Sequence, residues 1–329
     1  MRLTNALLGA AAIGLATMVA AQETQPPAEP PAKQGGLQGL EDTVSQLRDE
    51  PPPAESPAPP PAPAPAPPPP SARRPSAPQR PAGPLTRAEQ SALDAAVQRG
   101  RLLAAIDHAG RIATQDMLSR VSDPAGAGIS GWLAEPEGNA VTVTFYAEGA
   151  AGSPPAAVYR ASILGGRVTS REVFLAAGSR PPLGTHLARM AAARRATEAL
   201  DHQACGGEAF NVLVVPPTAP DAAIDVYQIS PQTARGHYPF GGHFKSTIAP
   251  DGSVAAQRGF SNACFDVEAA APAAGAPPAP LAVTHLLDPL PTELHVYLSI
   301  WTGHPLVVVA GDPQRLFAVT GEGIAEVPR

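Results

Sequence analysis

The chain is poor in aromatic residues (5%) and in charged ones (16%), and it holds only two cysteines. Scarce aromatics leave Ala and Val to carry much of the burial. Acid exceeds base, for a formal net charge of −6, which makes nucleic acid a poor partner. Neither thiol is accompanied by the Cys-x-x-Cys or His-x-x-x-His spacing of a zinc module. The longest apolar stretch falls short of the about 20 residues that cross a bilayer comfortably. No Gly-rich loop ends in the Lys-Ser/Thr pair of a phosphate loop, and there is no strict internal repeat.

What is present falls into a leader, an arm and a folded region. Residues 1–21 read as a signal peptide: Arg2 supplies a positive end, Ala6 to Thr17 an apolar stretch, and Val19-Ala20-Ala21 small residues at a cleavage site before Gln22. An uncleaved anchor is the competing reading. No Cys follows the site, which argues against a lipoprotein anchor. Cleavage removes one positive charge, Arg2, so the mature charge is −6 − 1 = −7. The expected location is the periplasm, with no transmembrane span after cleavage.

Residues 22–84 carry 21 of the 42 prolines. Proline fixes its own backbone angle and restricts its predecessor, so this arm is predicted to be disordered in the sense of having no core, and to favour extended polyproline II. At about 3.1 Å per residue, Pro51 to Pro84 spans on the order of 100 Å. Arg73, Arg74 and Arg80 add positive charge near its end. Such an arm either holds the folded region away from an attachment point, reaching an envelope protein or cell-wall partner, or is a tolerated low-complexity linker. Within it Leu37, Leu40, Val44 and Leu47 recur at helical spacing. Two heptads do not stand alone in water, so this segment docks on a partner or stays unfolded.

Residues 85–329 are long enough for a sizeable core. Thr86 and Glu89 have capping-box spacing and predict a helix start. A helix, or a pair broken around Gly100, is expected to run to about Val121. Strands are predicted at 129–133 and 141–146. Val158 to Leu164 and Arg167 to Leu175 form a hairpin across Gly165-Gly166. Thr185 is expected to cap a second helix to about Leu200. Strands follow at 210–215 and 224–229. A further hairpin joins 244–248 to 254–260 through Pro250-Asp251-Gly252. Residues 267–280 read as an Ala/Pro-rich surface loop. Leu294, Val296, Leu298 and Ile300 alternate with His295, Tyr297, Ser299 and Trp301 and predict a strand. Three more strands at 306–310, 316–320 and 324–327 finish the chain. The expected class is α+β, with helices packed on antiparallel sheets. Residues 85–180 form a helical plus four-stranded subdomain, and residues 181–329 a mainly β subdomain with one helix.

Cys205 and Cys264 are expected to form a disulfide, as an even pair does in an exported chain. Five of the eight histidines, His237, His243, His285, His295 and His304, lie in one stretch of the second half. Their number raises a metal-dependent hydrolase; their spacing matches no zincin motif, and no metal or cofactor is assigned. Gly259-Phe260-Ser261-Asn262-Ala263 has the outline of a nucleophile elbow, but a predicted antiparallel hairpin precedes it where a parallel sheet is needed. A strand at 294–301 sends His295, Tyr297, Ser299 and Trp301 to one side. Together with His243 from a Gly-rich turn, His295, Tyr297 and Trp301 form the candidate ligand-binding face, suited to sugar or peptide. The competing reading covers that row with a second layer, leaving its groups satisfied internally.

Tyr238-Pro239-Phe240-Gly241-Gly242-His243 and Pro291-Thr292-Glu293-Leu294-His295-Val296 resemble segments of exported bacterial envelope proteins of unknown function. That resemblance covers roughly residues 85–329 and implies no activity and no catalytic residue. The sequence reading is therefore a non-catalytic periplasmic protein that binds or scaffolds something in the envelope, with the metal-dependent hydrolase as its alternative.

Overall fold

A computed structural model describes residues 83–150, 153–272 and 275–328. The leader, the cleavage site, most of the proline-rich arm and the 37–47 stripe lie outside the described residues. Among the described residues three α-helices and fourteen strands make an α+β fold dominated by antiparallel pairs.

Helix α1 (Arg87–Leu118) is one uninterrupted helix of 32 residues. It opens where the capping box placed it: the Glu89 N–H donates to Thr86 Oγ1, and the Thr86 N–H donates to Glu89 Oε2 at 2.7 Å. Gly100 does not break it. A Cβ at that position would lie 2.5 Å from Val296 Cβ and 2.6 Å from the Glu293 carbonyl oxygen. Glycine there lets a second helix cross at close range, a packing role rather than a hinge. Leu93, Leu103 and Ile106 are fully buried on this helix, and each such side chain contributes roughly 1.5–3 kcal/mol.

Strands β1 (Ile129–Glu137), β2 (Ala140–Ala147), β3 (Ala156–Leu164) and β4 (Arg167–Val173) form an antiparallel meander. The turn between β3 and β4 uses Gly165 and Gly166 at φ 56° and 73°, the left-handed pair that a two-residue hairpin requires. Helix α2 (Thr185–Glu198) follows, and its N-cap is Gly184 rather than Thr185. Thr185 already has helical geometry, and no side chain caps the start. Strands β5 (Asn211–Val214), β6 (Ile224–Ile229), β8 (Phe244–Ile248) and β9 (Val254–Gly259) form a second antiparallel sheet. β7 (His237–Pro239) pairs with β10 (Asp266–Glu268) beside it.

Period-two alternation splits the apolar residues of these sheets between two cores. Val143, Phe145, Tyr159, Leu213, Tyr227 and Ile229 join α1 in one cluster. Leu133, Tyr146, Val212, Val214, Ile224 and Val226 join Met190 and Ala191 of α2 in the other. β2 is thus covered on both faces, with Thr144 and Tyr146 buried, although Thr142, Thr144 and Tyr146 alternate with Val141, Val143 and Phe145 in the pattern of a half-buried strand.

The largest departure is at 293–302. These residues are helix α3 (Glu293–Thr302), not a strand. Leu294 to Ser299 are all buried, so the apolar residues follow no one-sided period, and two-fold alternation carried no information. The local ends decide the state. Thr292 caps the start after Pro291, and Gly303 ends it in the left-handed region at φ 72°. The consequence for the candidate face is direct. On a helix, His295 and Ser299 share one side, and Tyr297 and Trp301 another.

A strand the sequence reading passed over, β11 (Leu281–His285), precedes α3. It pairs with β12 (Leu306–Ala310) in parallel, the one parallel pair among the described strands, and α3 is the crossover between them. β13 (Arg315–Val319) and β14 (Ile324–Glu326) complete this third sheet. Cys205, after α2, is disulfide-bonded to Cys264, after β9, with Cα atoms 5.5 Å apart. Among the described residues no helix is long and apolar enough to cross a membrane.

Candidate functional site

The four residues of the expected face have separate environments. His243 is fully buried. Its Nδ1 accepts the Ser230 N–H at 3.1 Å and its Nε2 meets the Pro239 carbonyl at 2.9 Å. Burial pushes its pKa down to about 4, so the ring is a neutral strut between β6 and the turn after β7. Tyr297 is buried against α1, and its hydroxyl donates to Asp107 Oδ2 at 3.0 Å. Asn211 Nδ2 donates to the other Asp107 oxygen at 2.7 Å. Burial, with the Asp107 carboxylate beside it, holds the Tyr297 phenol well above its usual value. Trp301 is half-buried and meets Tyr238 edge-on at 5.2 Å and Tyr297 at 5.7 Å. None of these three lines the pocket described next.

His295 does. A pocket of about 180 Å³ opens between the 260–265 loop, the end of β11 and the first turns of α3. Phe240, Phe260, Phe265, Leu294 and Leu298 give it apolar walls, and His285 and His295 stand together in it. Its rim is apolar and open to solvent: Phe265, Leu286 and Leu287 are 40%, 80% and 41% exposed. Large apolar side chains clustered in this way around a concavity mark binding surfaces more often than chance exposure does.

Each imidazole is fixed from behind. Thr292, the N-cap of α3, donates its N–H to His295 Nδ1 at 3.0 Å. Burial, then the neighbouring His285, pushes the His295 pKa down to about 3. The neutral ring must therefore carry its proton on Nε2. His285 Nε2 lies 2.7 Å from Asp288 Oδ2. Arg258 clamps the same carboxylate through two bonds of 3.0 and 2.6 Å. Burial alone would raise the Asp288 pKa; the hydrogen bonds from His285 and Arg258 overcome it and hold the carboxyl far below the usual range. An ionised carboxylate accepts, so His285 Nε2 carries a proton. Arg258 also covers the Phe260 ring at 4.6 Å, so one guanidinium anchors both the acid and an aromatic wall.

The other histidines lie apart. His237 begins β7, and His304 Nδ1 lies 2.8 Å from the Ala279 carbonyl. Among the described residues no three His, Cys, Asp or Glu side chains come together as a metal cluster. Ser261 lines the pocket mouth on the loop that leaves β9, not on a strand-to-helix turn. Its hydroxyl donates to the Ala263 carbonyl at 2.9 Å and accepts the Gly242 N–H at 3.1 Å.

Sequence reasoning put His295 on the ligand face, named His285 only among the clustered histidines, and missed Asp288 and Arg258. The signal was present in His285-Leu286-Leu287-Asp288, where two leucines sit between an imidazole and an acid just before Pro289-Leu290-Pro291. Arg258, 30 residues upstream of Asp288, had no local mark. No family model, no curated protein and no solved structure matches this chain.

Proposed function

We propose that the chain is a non-catalytic, periplasmic envelope protein of the kind the two sequence segments resemble, and that it binds its ligand in the His285–His295 pocket. One observation carries the reading: a concave site with largely apolar walls and an exposed apolar rim, whose two imidazoles are each fixed by a backing partner. The Cys205–Cys264 bond supports the exported location, because such bonds persist in oxidising compartments. It also staples the 260–265 wall to the segment after α2. Preorganised walls lower the ordering cost of binding. The leader and arm add a route out of the cytoplasm and a means of reach toward an envelope or cell-wall partner.

Two experiments test this. Osmotic-shock fractionation of native cells should release a chain that begins at Gln22 with both sulfurs oxidised; cytosolic material with the leader retained and free thiols refutes the location. Saturation-transfer NMR against small apolar compounds should give binders for the full mature chain. Leu286→Asp with Leu287→Asp should lose them without losing stability, since Leu286 is 80% exposed. Unchanged binding by that double variant refutes the site.

A further inference from the structure

We propose that the outer edge of β11 takes up an extended, uncharged peptide segment as a further strand, with one phenylalanine side chain of that segment in the pocket. This rests on the reading of the pocket as the ligand site. Topology sets the first condition. β11 ends the third sheet, and among the described residues β12 is the only strand paired with it. The Leu281 N–H donates to the Pro305 carbonyl at 2.9 Å. In this parallel register Leu281, Val283 and His285 therefore turn their backbone groups toward β12, and Ala282 and Thr284 turn theirs the other way. Ala282 and Thr284 are both exposed. Each offers an N–H and a C=O, so the open side presents the backbone groups that strand addition uses.

Charge sets the second condition. Edge strands are ordinarily blunted by charged residues or proline. β1 carries Pro136, β4 Arg171, β7 Pro239, β9 Arg258, β10 Asp266 and β14 Glu326. β5 has no such residue but buries Val212, Leu213 and Val214. β11, Leu-Ala-Val-Thr-His, combines an open edge with no acid, lysine, arginine or proline. The nearby pocket mouth, at Asn262, Ala263, Phe265, Leu286 and Leu287, is uncharged as well. A charged residue in an incoming segment finds no opposite charge there, so complementarity selects an uncharged one.

Register sets the third. Antiparallel addition is the more stable per residue, and directly opposite residues of an antiparallel pair put their side chains on the same face. A segment bonded to Ala282 and Thr284 holds one residue opposite Val283. That side chain lies on the face shared by Val283 and His285, and both of these line the pocket. An apolar cavity of about 150 Å³ holds one benzene ring, and this pocket is about 180 Å³, room for a single phenyl group. Phe240, Phe260 and Phe265 line it, and aromatic rings favour edge-to-face and offset aromatic neighbours.

The test is calorimetry on the full mature chain with the blocked peptide Ac-Thr-Val-Phe-Val-Thr-NH2, which should bind. Methylating both valine nitrogens removes the two N–H donors aimed at β11 and should weaken binding on the order of tenfold. Methylating the phenylalanine nitrogen, which faces away from β11, should leave affinity within about twofold. Alanine in place of the phenylalanine should cost on the order of tenfold or more. A doubly methylated peptide that binds like its parent overturns strand addition and leaves the pocket a ligand site; so does the failure of every peptide while small apolar compounds still bind. No binding by peptides or by apolar compounds overturns both readings. Thr284→Pro removes an outward N–H and no bond to β12, and should weaken the peptide; unchanged affinity overturns the register. A mature chain that sediments as a dimer and becomes a monomer on Thr284→Pro assigns the edge to a second copy and overturns the peptide ligand.

Discussion

Replacing Gly100 with Ala separates local preference from tertiary packing, because the two give opposite signs. In an exposed helix interior, Gly→Ala gains about 1 kcal/mol of helix propensity. Here the new methyl would sit 2.5 Å from Val296 Cβ and 2.6 Å from the Glu293 carbonyl oxygen. Carbon atoms pack best at about 3.5–4.0 Å, so α1 and α3 must separate by on the order of 1 Å. One of the two atoms met is backbone and the other is a Cβ, so no rotamer change relieves the contact. Overpacking of this kind costs typically 1–3 kcal/mol. The crossing also buries Leu294, Tyr297 and Leu298, whose burial a separation loosens. The net expectation is a loss of about 1–2 kcal/mol, read as a lower urea midpoint at unchanged slope. Gly100→Ala with Val296→Ala should recover little, since the alanine Cβ remains in place. A Gly100→Ala protein as stable as the parent, or more so, refutes the close crossing. Because α3 carries His295, it would also refute the placement of that wall of the pocket.

Three further outcomes follow from the core. Tyr297→Phe removes a hydroxyl that donates to Asp107, itself 2% exposed; stability should fall by about 1–3 kcal/mol by denaturation, because a buried acceptor loses a partner. Cys264→Ser opens a loop with a sequence separation of 59 and should cost up to about 4 kcal/mol, with no effect under reducing conditions. His243 and His295 have folded pKa values lowered to about 4 and about 3 from 6.5, so the unfolded chain takes up their protons first. Their contribution is complete above pH 6.5 and is lost as pH falls toward 4 and 3, by roughly 1.4 kcal/mol per pH unit for each. Urea midpoints at pH 7 and pH 5 should show the drop, and His243→Gln should flatten it; a midpoint rising on acidification contradicts the neutral burial of both rings.

How much of this fold was legible depended on where the deciding forces lie. α1 was readable because its start is a reciprocal contact between Thr86 and Glu89, three residues apart. The β3–β4 hairpin was readable because Gly165-Gly166 fits a turn that other residues resist. α3 was not, because Leu294 to Ser299 are buried on every side and lose the one-sided pattern that separates helix from strand. Its caps, Thr292 and Gly303, were the better guide. The parallel partner of β12 was hidden for a related reason: β11 abuts an Ala/Pro-rich loop and is only five residues long. The pocket was the least legible feature. Phe240, the 260–265 loop, the 283–287 segment and α3 meet only through sheet pairing and the disulfide. Of the expected ligand face, His295 alone borders the pocket. His243, Tyr297 and Trp301 are used within the fold, as strut, acid partner and aromatic packing.

The most direct test of the account is a long-range proton–nitrogen NMR spectrum of the mature oxidised chain at pH 7, with and without the small apolar binders of the pocket. His295 should show its proton on Nε2, because its Nδ1 accepts the Thr292 N–H, and its signals should shift as those compounds are added. A proton on Nδ1 of His295, or imidazole signals that ignore the compounds at saturating concentration, contradicts it.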